Sequence, residues 1–183
     1  MLQATYAAEL LVKARIAQEH PLLIFQHLPR QDQNSRGNLD LEALFADGRT
    51  YQWSDLPDRL WVSTGVTIPN RNLYLEFGRL RNCIQHFAPD QNRDYNRETL
   101  SFIFHVVDPL IHECWGLYAV DYDEDYEPYL YFVPTLIRQE ILFLVSREAA
   151  SCFDQWDIEW KEVSEPYQAE VRARVEAALA GAE

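Results

Sequence analysis

The chain has 183 residues, of which 48% are hydrophobic and 25% charged, with only 6 Gly. That composition supports one folded domain spanning residues 1–183 and excludes a disordered or fibrous chain. A net charge of −13 excludes broad non-specific binding to nucleic acid, which needs Lys and Arg against phosphate, but leaves room for a small, locally basic site.

No run approaches the about 20 apolar residues needed to cross a bilayer, so no membrane partner is expected. The start, MLQATYAAELL, lacks the basic region of a signal peptide. Cys83, Cys114 and Cys152 are odd in number and widely spaced, which fits reduced thiols in a cytoplasmic protein. Helix-period segments dominate, so the expected fold class is mainly α.

In chain order, residues 3–19 read as a first helix with Ala7, Leu10, Leu11, Ala14 and Ala17 on one face, ended by His20-Pro21. Leu22 to Leu28 begins another helix or packs as a buried loop, and His27 there is given no role. Residues 30–38 have loop composition. Leu39 to Ala46 reads as a short helix, Thr50 to Trp53 as a brief extended piece, and Ser54 as the cap of a short helix through Trp61.

Asn72 to Ala88 is the most regular stretch. Leu73, Phe77, Leu80, Ile84 and Phe87 recur at steps of 4, 3, 4 and 3, the stripe of an amphipathic helix. Asp94 to Trp115 reads as a long helix with the stripe Leu100, Phe104, Val107 and Ile111 and a kink or break near Val106 caused by Pro109. His105, Asp108 and His112 share a face at metal-ligand spacing, but they make an incomplete set, and the preferred reading is a polar stripe beside the core.

Residues 117–131 form an acidic, tyrosine-rich connection. Asp121, Asp123, Glu124, Asp125 and Glu127 do not follow the spacing of a calcium loop. Pro134 is expected at the first position of a helix from Thr135 to Cys152, carrying Leu136, Glu140, Phe143, Leu144 and Ala150. Trp156 and Trp160 flank an irregular segment. Pro166 to Leu179 is a last amphipathic helix, and residues 180–183 are expected to fray.

The central helix carries Arg81, Asn82 and His86 near its C-terminal end, where the helix dipole favours positive charge. Imidazole titrates near neutrality, so His86 suits proton transfer. A guanidinium holds phosphate through paired hydrogen bonds, so Arg81 suits phosphate binding and charge stabilisation. Asn82 lies four positions before His86 and can orient it. Five positions separate Arg81 from His86, roughly 140° around a helix of 3.6 residues per turn, so one copy makes a poor complete site.

The pattern LRNCIQHF, with Arg81, Asn82 and His86 in register, resembles the active motif of the HEPN superfamily, an Arg, a polar residue, three further residues and a His. The first segment, AAELLVKARIAQEHPLLIF, is similar to the first helix of several HEPN families. The resemblance touches residues 4–25 and 73–88. It implies a HEPN-like antiparallel helical bundle with irregular insertions, and a homodimer with its site built across the two-fold axis. It also implies metal-independent cleavage of an RNA substrate by 2′-hydroxyl attack, without a cofactor, leaving a 2′,3′-cyclic phosphate. Toxin–antitoxin or phage-defence partners follow from the same resemblance. Some HEPN toxins carry a Tyr two residues beyond the His as a modification site. Ala88 stands there, so that control is not implied for this chain. The alternative is a catalytically inactive HEPN-like module that acts through protein partners.

Overall fold

A computed structural model describes residues 1–30, 41–86, 92–122 and 128–181. The fold is mainly helical, as the periodicities imply. Among the described residues no helix is long and apolar enough to cross a membrane. The contacts divide the chain into two compact units: Met1–Ala4 with Pro69–Glu183, and Thr5–Ile68.

Helix α1 spans Leu2–Glu19 and stops before Pro21, as the sequence predicts. Its buried stripe is Thr5, Ala8, Val12 and Ile16. The expected face through Leu10 is therefore the wrong one, and Leu10 is 67% exposed. Alanines on either side of the stripe made two faces look equally apolar.

In the smaller unit, the run after α1 begins as a short 3-10 helix and does not continue as an α-helix. It makes a 3-10 turn, Pro21–Ile24, and then strand β1, Phe25–His27, which pairs antiparallel with β2, Arg49–Thr50. Helix α2, Leu41–Asp47, precedes β2, and α3, Leu56–Thr64, follows it. Asp55, not Ser54, takes the cap position of α3, and it makes no side-chain capping bond. Gly48 is required by close packing: a Cβ there would strike the Leu44 carbonyl and the Phe25 ring.

In the larger unit, α4 spans Arg71–His86. Asn70 starts it: the backbone is left-handed there (φ 45°), and the side chain accepts the Leu73 amide at 3.3 Å. Tyr74, Phe77 and Leu80 are buried, with Leu73 and Ile84 half-buried. Helix α5, Tyr95–Phe102, is capped by Asp94, and its Phe102 ring stacks on Phe77 with centroids 3.9 Å apart.

The break expected before Pro109 is a π turn, Ile103–Val107, leading into α6, Asp108–Trp115. A proline inside a helix lacks its donor and strikes the carbonyl one turn back, and a wider turn relieves the clash. The extra residue per turn also rotates the face. His105 is left bonding Ser101 within the helix, while Asp108 turns fully into the interior at 0% exposed. His105, Asp108 and His112 therefore do not form one polar stripe.

After a 3-10 turn at Ala119–Asp121, α7 spans Pro128–Arg138. Pro134 lies inside α7 and not at its first position. The expected helix Thr135 to Cys152 does not exist as one element. Ile141 donates to Leu136 and Glu140 to Ile137, a Schellman ending with Glu140 left-handed at φ 52°. The chain then runs extended from Ile141 to Ser146, burying Ile141, Phe143 and Val145 in alternation. Helix α8, Arg147–Ser151, is capped by Ser146, and α9, Glu165–Ala180, closes the chain where the sequence predicts a last helix. The core of this unit gathers Phe104, Val133, Leu136, Phe143, Trp156 and Val171.

Much of the expected loop at 30–38, the acids from Asp123 to Glu127, Phe87, Ala88 and residues 182–183 lie outside the described residues. Cys83, Cys114 and Cys152 are free thiols.

Asp108 ties the larger unit together. Its two carboxylate oxygens accept the Ala119 amide at 2.8 Å and the Leu144 amide at 3.0 Å. Removing an acceptor from buried donors costs about 1–3 kcal/mol per donor. Asp108→Ala, which orphans both, is expected to lose about 2–5 kcal/mol in urea unfolding, and Asp108→Asn, which keeps one acceptor, about 1–3 kcal/mol. A loss below about 0.5 kcal/mol in the alanine variant would contradict this role.

Candidate functional site

The motif residues lie on one unbroken helix. Arg81 is half-buried on α4 and Asn82 is exposed one position on. The His86 backbone forms the last residue of α4, and its side chain lies outside the described residues. Cys83, between them, is exposed.

A groove of about 260 Å³ runs between α4 and α5, with Phe77 and Leu80 on one wall and Arg93 and Arg97 on the other. Arg81 and Asn82 are not among the described residues that line it. Arg93 is paired with Glu98 at 2.8 Å, and Glu76 also faces the groove, so two cations meet two carboxylates and the groove is not strongly basic. Arg93 and Arg97 thus form no bare cationic surface there.

A second place was not legible in the sequence as a site. Asp108 sits under a cleft whose walls carry His112, Tyr118, Leu144, Arg147 and Arg174. The Ala119 amide that it binds follows Tyr118, and the Leu144 amide belongs to the extended wall, so one carboxylate fixes both sides. His112 lies one turn beyond Asp108 on α6, its ring centroid 4.5 Å from that of Tyr118. Beside the cleft, Asp121 accepts hydrogen bonds from the hydroxyls of Tyr129 and Ser146. One signal was available: Asp108 is the lone acid in the run FIFHVVDPLI, and a carboxylate within so apolar a stretch needs a buried task.

Burial raises the Asp108 carboxyl above its ordinary value. The Ala119 and Leu144 amides and the nearby His112 oppose that rise, and Asp121 adds to it. Burial and the bond to Asp121 push Tyr129 up to about 12. In contrast, the Ser164 amide holds Glu140 below the ordinary value.

Among the described residues no group of three His, Cys, Asp or Glu side chains could hold a metal ion. No protein-family model matches the chain, and no curated protein or solved structure does either.

Because the folded state binds the Asp108 proton more tightly than the unfolded state, this residue contributes most below its free value of 3.8. The contribution falls as pH rises through the folded value. The stability difference between the native protein and Asp108→Asn should therefore shrink from about pH 4 to about pH 7 in paired urea titrations. A difference that widens with pH would reverse the assignment.

Proposed function

We propose that the chain is a metal-independent endoribonuclease of HEPN type, serving a bacterial defence or toxin-type system as a homodimer. The observation that carries this reading is the unbroken helix α4, which holds Arg81, Asn82 and His86 in the Arg-Asn-x3-His register at its C-terminal end. Arg81 binds the scissile phosphate and stabilises the charge that develops on it. His86 takes the proton of the 2′-hydroxyl and returns one to the leaving 5′-oxygen, while Asn82 orients its ring. The 2′-oxygen forms a bond to phosphorus as the bond to the 5′-oxygen breaks, so the products carry a 2′,3′-cyclic phosphate and a free 5′-hydroxyl. Arg81 and His86 diverge by roughly 140° on the helix, which is why the proposal includes a second copy to complete each site.

The net charge of −13 favours a second reading, a catalytically inactive helical module that works through protein partners. The two separate in one assay, cleavage of RNA by the purified protein in EDTA. The ribonuclease reading predicts cyclic phosphate ends and at least a roughly 100-fold loss in His86→Ala and Arg81→Lys, with both variants folded by circular dichroism. Equal cleavage by native protein and His86→Ala removes the role given to His86. Absence of cleavage by the native dimer favours the module.

A further inference from the structure

The cleft above Asp108 encloses about 470 Å³ and is lined by three side chains able to carry positive charge, His112, Arg147 and Arg174. No carboxylate is among the described residues that line it, in a chain whose net charge is −13. The three cations come from separate elements, α6, α8 and α9. Their convergence is a product of the fold and not of neighbouring positions in the chain.

Both arginines have unused bonding capacity. Arg174 is held in place: Nη1 donates to the Phe143 carbonyl at 2.6 Å and Nε to Glu170 at 2.8 Å. Those bonds fix the plane of the guanidinium and engage neither of the Nη2 hydrogens. Arg147 makes no ion pair or hydrogen bond among the described residues. The Nδ1 atom of His112 is buried and has no hydrogen-bond partner. Glu170 offsets much of the Arg174 charge from outside and Asp108 lies beneath the floor. Arg147 is therefore the cation with least compensation.

The other walls are apolar: Leu144 and Val145 on one side, Ala177 and Ala178 on the other. A bare ion would leave this surface wet. Cavities of about 300–1,000 Å³ with a few placed polar groups and apolar walls suit small molecules.

We propose that the cleft binds a small amphipathic anion, its carboxylate or phosphate gripped by Arg147, Arg174 and His112, its apolar body against Leu144, Val145 and Ala178. Planar guanidinium groups match both kinds of oxyanion through paired hydrogen bonds. The site uses none of Arg81, Asn82 or His86, so it stands whether or not the chain cleaves RNA.

The test is calorimetric titration of the full chain with three probes: inorganic phosphate, adenosine 5′-monophosphate and octanoate. At least one of the last two should bind with a Kd below about 1 mM and at least about tenfold more tightly than inorganic phosphate. Which of them binds identifies the head group as phosphate or carboxylate. Arg147→Ala, a change at an exposed side chain, should weaken that binding about tenfold or more. The His112 ring resonances should move on binding in the native protein. Failure of both amphipathic probes to bind below about 1 mM, or binding that Arg147→Ala leaves unchanged, would overturn the proposal.

Discussion

A single buried carboxylate sets the geometry of the larger unit. Asp108 is the one charged side chain brought to full burial among the described residues. Such a group is stable inside only when its oxygens are bonded, and it bonds amides 11 and 36 positions further along the chain. Two segments outside the α-helices, the 3-10 turn at Ala119 and the stretch at Leu144, are thereby fastened to α6. The aim of the carboxylate comes from local sequence. Pro109 cannot follow a regular turn, the chain widens into a π turn over Ile103–Val107, and Asp108 rotates inward as a result. One proline and one acid thus connect backbone chemistry to the placement of a cleft.

Helices with strong periodicity and punctuated ends were legible in the sequence. The ends of α1 and α9 and the extent of α4 follow from His20-Pro21, from Pro166 and from the Leu73–Ile84 stripe. What escaped sequence reasoning has physical causes. The α1 face was misjudged because alanine is nearly neutral between faces, while Thr5 and Val12 define the buried one. The helix expected from Thr135 to Cys152 is divided because Glu140 occupies a left-handed ending that glycine usually marks. A run such as Ile141 to Val145 reads equally well as buried helix or buried extended chain, and the Schellman ending decides it. For the cleft, neither Arg147 nor Arg174 stood out in the sequence. Arg147 and Arg174 meet His112 only through the extended segment that the sequence hid.

The two candidate regions differ in character. The helix carrying Arg81, Asn82 and His86 is regular, and its neighbouring groove balances Arg93 and Arg97 against Glu76 and Glu98. Under the proposed reading, chemistry there depends on what a second copy adds. The cleft above Asp108 is built within one unit, with Arg174 held in place and apolar walls. In this acidic chain the cleft gathers His112, Arg147 and Arg174, with no carboxylate among its described lining residues.

The dependence of the cleft on Asp108 is tested most directly by amide hydrogen exchange at Ala119 and Leu144, followed by NMR in the native protein and in Asp108→Ala. The account predicts that both amides are protected in the native protein. In the variant both should exchange at least about tenfold faster relative to the Val171 amide of α9, which serves as the reference for global unfolding. Rapid exchange of either amide in the native protein, or an unchanged ratio to Val171 in the variant, would contradict it.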